Sequence, residues 1–211
     1  PPGTLQTRSM GGVGVGMRNA AAVNLLNPAA YSAVRPKSFL FDFGLEGQCF
    51  YNSQKYYGQT LNTSYYTVNF HDIAFQLPIA KHLGLGFSLT PYSSVGYRMK
   101  QEVDDDEIWG NIGRVQFQWD GDGDVTEVKL GLGWEIFSGV SIGIAAQYYW
   151  GDIQRIYKTA ILENITGGGL IADAKGTETY SVSRFKGQFG VQWSPISNRR
   201  RILTIGATYD I

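Results

Sequence analysis

From Lys37 onward apolar side chains recur at every second position over long runs, and a period of two is the signature of β-strands. Ile142, Ile144, Ala146, Tyr148 and Trp150 alternate with Gly143, Ala145, Gln147 and Tyr149. Phe185, Phe189, Val191 and Trp193 alternate with Lys186, Gln188, Gly190, Gln192 and Ser194. The same rhythm runs through Leu83, Leu85, Phe87 and Leu89, through Leu130, Leu132, Trp134 and Ile136, and through Leu203, Ile205, Ala207, Tyr209 and Ile211. Positions two apart in a strand share a face, so each run has one apolar face and one small or polar face.

Alternation alone leaves two readings, an apolar face turned inward as in a lipocalin or sandwich, or turned outward into lipid. The other face decides between them. A face in open water carries many Lys and Glu, whereas here it is mostly Gly, Ser, Thr and Gln, which suits a confined polar interior. Composition agrees: charged residues are 17 % of the chain, aromatics 14 %, and there are 27 glycines, against roughly 25 % charged residues in soluble domains. No run of ~18 consecutive apolar residues occurs, which excludes helical membrane spans. Eighteen basic and eighteen acidic residues leave no net charge and no basic footprint for nucleic acid. Cys49 is the single cysteine, so an internal disulfide and a thiolate-rich metal site are excluded. With 211 residues the chain can bury a sizeable core. It opens on Pro1 with no basic or apolar leader, so any signal peptide is expected to have been removed.

The expected architecture is all-β, an antiparallel transmembrane β-barrel of about seven crossings over residues 37–211, following an N-terminal segment of residues 1–36. Short links are expected at 78–81, 137–139 and 195–200, and long polar or charged links at 48–62, 98–124 and 159–176. Residues 111–119 (Val115, Phe117, Trp119) are read as an extension inside the second long link. Single-chain barrels close with an even number of strands, so seven crossings point to a fragment of a larger barrel. In the N-terminal segment, residues 18–26 (RNAAAVNLL) are expected to form a short helix ending at Asn27, because Pro28 disfavours helical geometry in the residue before it.

Residues 8–31 (RSMGGVGVGMRNAAAVNLLNPAAY) resemble the N-terminal plug of the long-chain fatty acid transporter (FadL) family. The resemblance lies in the Gly-rich opening, the Ala/Asn stretch and the tripeptide Asn27-Pro28-Ala29, followed by strand pairs such as residues 77–90 (LPIAKHLGLGFSLT). It implies a fourteen-stranded outer-membrane barrel closed by an N-terminal hatch, with hydrophobic substrate captured outside and released sideways through a kinked strand. The expected function is therefore passive uptake of hydrophobic small molecules, long-chain fatty acids or aromatic hydrocarbons, across the bacterial outer membrane. The alternative is a barrel of the same build serving as a non-transporting subunit of a secretion or surface-assembly machine, with a protein partner at its extracellular loops. A soluble lipocalin-like binder comes third.

Asn27, Pro28 and Ala29 are candidates for sealing or gating the hatch, the Asn side chain bonding to backbone at the wall while Pro28 sets the turn. Against this stands a simple loop closure after a helix. Pro91 removes a ladder donor from its strand and is followed by Ser93, Ser94 and Gly96, so these four are candidates for a lateral opening; the bland reading is a strand end entering a loop. Tyr149 points inward and is a candidate ligand contact, whereas Tyr92, Tyr97, Tyr148, Trp150, Trp193 and Tyr209 suit an interfacial girdle. Residues 120–124 (DGDGD) lack the glycine and glutamate that complete an EF-hand and read as a solvated turn. His71 and His82 do not make a metal site, and no nucleophile elbow or Cys/His pairing points to an enzyme. Arg199, Arg200 and Arg201 are expected at the periplasmic rim. No cofactor and no metal are expected; the partners are a hydrophobic ligand and outer-membrane lipid.

Overall fold

The computed structural model describes residues 3–56, 59–103, 114–163, 174–197 and 201–211. The chain is all-β, and the described residues form seven strands in one antiparallel sheet whose spatial order is the order of the sequence. They are β1 (Leu40–Tyr56), β2 (Gln59–Ala80), β3 (Leu83–Glu102), β4 (Arg114–Phe137), β5 (Val140–Glu163), β6 (Ala174–Ser197) and β7 (Ile202–Asp210). Two-residue turns at Lys81–His82 and Ser138–Gly139 join β2 to β3 and β4 to β5. His82 and Gly139 take positive φ there, +65° and +84°. Both prolines near the ends of their strands, Pro78 and Pro195, sit at register shifts, Pro78/Ala80 and Trp193/Ile196, where a missing N–H costs no ladder bond.

Two compact units can be described. The first comprises Pro1–Pro91, Glu127–Tyr148 and Phe185–Ile211; the second comprises Tyr92–Thr126 and Tyr149–Arg184. In the first, the N-terminal segment lies on one face of the sheet. Beneath it Gly84, Gly86, Ser88, Gly131, Gly133, Ser141, Gly143, Ala145, Gln147, Gln188, Gly190 and Gln192 are buried. On the opposite face Leu130, Leu132, Trp134, Ile142, Ile144, Phe189, Val191, Trp193 and Ile205 are exposed. The usual relation of core to surface is thus inverted, and the apolar face of every one of these strands looks away from the protein's own interior. A small apolar cluster of Val23, Leu25 and Ala74, with Leu40 against it, accompanies the polar packing.

Residues 18–26 do not form the expected helix; the N-terminal segment holds instead α1 (Leu5–Ser9) and a 3-10 helix (Pro28–Ala33). Side-chain amides compete with helical backbone bonding over that stretch. Asn19 Oδ1 accepts from Ala21 N at 2.9 Å, and Asn24 Oδ1 accepts from Leu26 N at 2.9 Å while its Nδ2 donates to Gly14 O and Met17 O at 2.8 and 2.7 Å. Pro28, read as a stop signal, opens the 3-10 helix at a position where its missing N–H is harmless.

The links expected to be long are in large part strand. β1 continues to Tyr56, β3 to Glu102 and β5 to Glu163, and residues 120–124 lie inside β4, not in a turn. Strands polar on both faces carry no period-two signal, which hid these extensions. Val115, Phe117 and Trp119 belong to the same strand as Leu130 to Ile136, so they add no crossing; residues 111–113 of that stretch lie outside the described residues.

A side chain at Gly143 would run into the backbone of Pro28 and Ala29. Gly143→Val is expected to destabilise the docked segment by about 3 kcal/mol, the upper end for overpacking, and to raise protease cleavage within residues 3–36 while leaving strand content by circular dichroism unchanged.

Candidate functional site

The seam between the N-terminal segment and the sheet is built on backbone contact. Gly84 faces Tyr31 O and Ser32 N, Gly133 faces Pro28 O and Ser32 N, Gly190 faces Asn27 Oδ1 and the Pro28 ring, and Gly206 faces Val15 O. At Gly86 an added Cβ would come within 2.6 Å of the Tyr31 ring, which is 1 % exposed. Glycines on β3 to β7 therefore form a floor on which main chain can rest directly.

Asn27 sits at the centre of that floor, fully buried. Its Oδ1 accepts from Ala29 N at 3.0 Å and caps the 3-10 helix, while its Nδ2 points at Val15 O (2.9 Å), Val191 O on β6 (3.1 Å) and Ala207 O on β7 (3.5 Å). One side chain so joins the N-terminal segment to itself and to two strands. Around it, side-chain donors from the sheet aim at main-chain carbonyls. Gln192 Nε2 donates to Val15 O and Met17 O at 3.0 and 3.1 Å, Gln76 Nε2 to Asn24 O at 3.2 Å, and Lys129 Nζ to Leu25 O at 3.0 Å and Gln188 Oε1 at 3.3 Å.

Two ion pairs flank the floor. Arg8 binds Glu46 of β1 through both guanidinium nitrogens at 2.5 and 3.2 Å. Arg18 reaches Glu135 at 3.2 Å and also donates to Ser32 Oγ at 2.9 Å. Glu135 in turn accepts from Gly139 N at 3.1 Å and lies 3.3 Å from His82 Nδ1, so one carboxylate ties the N-terminal segment to two turns. Burial lowers the Arg18 pKa from its ordinary value, with the Glu135 charge opposing, and burial pushes the Tyr31 hydroxyl up.

The other predicted residues lie elsewhere. Pro91, Ser93, Ser94 and Gly96 all stand within β3, exposed, and the strand runs through them to Glu102. The unusual backbone is found instead at Gly123 of β4 and Gly151 of β5, with φ of +131° and +150°. A Cβ at either would strike the main chain of the other strand, at Asp152 or Asp124, so both positions require glycine. In the same unit Tyr149 is 7 % exposed and packs edge-on against Tyr92, ring centroids 4.8 Å apart. Asp120 accepts from Gln118, from Arg98 Nε at 3.0 Å and from Lys158 Nζ at 3.3 Å, an ion cluster across three consecutive strands. His71 bonds Asp72 through Nδ1. Among the described residues no three His, Cys, Asp or Glu side chains group to hold a metal ion. Arg199 and Arg200 lie outside the described residues; Arg201 precedes β7 and is exposed.

Sequence reasoning missed Gln76, Lys129, Gln192 and the glycine floor. Their signal was present as the small and amide residues of the polar strand faces, but alternation does not say which of them meet another segment. A cleft of about 550 Å³ opens between α1 and β1, lined by Leu5, Gln6, Ser9, Phe41, Asp42 and Phe43.

Compared with known proteins, the chain matches the family model described as BamG over residues 2–211. No curated protein and no solved structure matches it. The likeness to long-chain fatty acid transporters thus rests on the residues quoted for it alone.

Asn27→Ala removes the donor to three carbonyls and the cap, at an expected cost of about 2–3 kcal/mol. Asn27→Asp is expected to cost more, because it sets a carboxylate against Val15 O and Val191 O with no proton between them. Thermal unfolding in detergent, with protease cleavage of the N-terminal segment as a second readout, checks the order wild type, Ala, Asp.

Proposed function

The chain belongs to the BamG family, and on that premise we propose that it is a bacterial outer-membrane β-barrel subunit serving an assembly machine, not a carrier of hydrophobic small molecules. The family match, which spans nearly the whole chain, is the observation that carries this reading. Two features support it. The apolar strand faces look outward, as contact with lipid requires of a barrel wall. The inner face meets the N-terminal segment through glycines, glutamines and Lys129, a lining suited to holding polypeptide main chain. In this reading the protein is not an enzyme and needs no cofactor; its partners are lipid on the outer face and the proteins of the machine.

Depletion of the protein in its own bacterium separates the two functions first weighed. The assembly role predicts falling levels of other folded outer-membrane proteins, by quantitative proteomics and heat-modifiable gel mobility, with uptake of labelled oleate unchanged. Loss of oleate uptake with a normal outer-membrane proteome would refute it. For the location, Ile144→Arg on the outer face is expected to lower stability in lipid vesicles by about 2–4 kcal/mol if that face meets the bilayer midplane, measured by denaturant titration.

A further inference from the structure

In the unit that holds the N-terminal segment, acids and bases are used differently. Glu46 is paired with Arg8, Asp72 with His71, Glu127 with Lys129 and Glu135 with Arg18. Arg35, Lys37, Lys81 and Arg201 have no such partner among the described residues, and all four are exposed. They occupy one end of the sheet. Arg35 and Lys37 lie in the turn that leads into β1, closed by Ser38 N and Ser38 Oγ on Arg35 O at 3.2 and 2.6 Å; Lys81 is in the β2–β3 turn, and Arg201 directly precedes β7. Of the carboxylates at this end, Glu135 is already taken by Arg18, Gly139 N and His82, and Asp42, two residues into β1, is half-buried and hydrogen-bonded to Asp72. A chain with no net charge thus presents an uncompensated positive surface at its short-turn end.

We propose that this short-turn end is a docking surface for an acidic patch on a partner protein; the inference deepens the assembly role and rests on that reading. Charge complementarity identifies the partner's chemistry: carboxylate side chains facing arginine and lysine, a contact that steers association and weakens with salt. A protein fits better than lipid headgroups for a geometric reason. The Arg35–Lys37 turn continues directly from the N-terminal segment, and the Lys81–His82 turn is tied through His82 and Glu135 to Arg18 of that segment. Both turns are therefore anchored to the N-terminal segment, which lies on the side of the sheet opposite its exposed apolar face.

The test uses the full chain in lipid nanodiscs and the triple variant Lys37→Glu, Lys81→Glu, Arg201→Glu, whose exposed positions leave folding intact by heat-modifiable mobility. Labelled polyglutamate serves as the acidic probe. Binding to the wild type should fall steeply with added salt and should weaken about tenfold or more in the variant. Equal binding by both proteins overturns the inference. So does a result in which the variant changes only the dependence on phosphatidylglycerol content, since the surface would then belong to lipid. In cells, a variant that still co-purifies with the assembly machine as well as wild type would sink the docking surface and leave the assembly role standing. A wild type that never co-purifies with the machine would remove the assembly role itself, with the polyglutamate result still reading the surface.

Discussion

Main chain resting on main chain is the contact on which the rest of this structure depends. Residues 27–31 and 15–16 lie so close to β3–β7 that a methyl group at Gly84, Gly133, Gly143, Gly190 or Gly206 would have no room. Two backbones this near leave no space for water, so a polar group trapped between them is costly unless it finds a partner within the protein; on this face Ser141 Oγ and Gln192 Oε1 are buried without one. That requirement explains the placing of Gln76, Lys129 and Gln192 on the sheet's buried face: each supplies a donor to a carbonyl that the close approach has cut off from solvent. Asn27 meets the same need from the other side, through its amide nitrogen.

The polar packing on one face has a counterpart on the other. A sheet whose inner face is bound by hydrogen bonds must place its leucines, isoleucines and tryptophans outward, and such a surface is stable only where water is absent. In the proposed membrane barrel lipid provides that setting, and the apolar cluster of Val23, Leu25 and Ala74, with Leu40 against it, is small by comparison with the exposed apolar face. The same division of faces bears on function. An inner face already engaged by polypeptide, and an end rich in free basic side chains, both fit a protein that works with other proteins.

Much of this was legible in the residues. The strands could be placed from Ile142 to Trp150 or from Leu130 to Ile136 because an exposed apolar face and a buried face of small residues differ sharply in composition. The expectation that the Asn27 side chain bonds to backbone came mostly from the family resemblance that Asn-Pro-Ala and its Gly-rich approach carry, and its Nδ2 lies 3.1 Å from Val191 O. Other parts were hidden. The outer halves of β3, β4 and β5 carry Arg98, Asp120 and Lys158 in strand geometry, and polar strands resemble loops when only hydropathy is read. The helix expected over residues 18–26 failed because Asn19 and Asn24 bond to nearby backbone, a local choice that becomes favourable only once Gly14 and Met17 are brought alongside.

By itself the sequence determined the strand periodicity, the sign of each face and the absence of helical spans, because these follow from side-chain size and polarity at alternate positions. Only the tertiary structure decided which glycines touch main chain, which carbonyls Gln76, Lys129 and Gln192 reach, and where β4 and β5 need glycine at positions 123 and 151. Those are contacts between residues far apart in the chain, 177 positions for Gln192 and Val15. A pattern read along the chain carries no record of that distance, since the partner of each donor is chosen by how two backbones fit together in space.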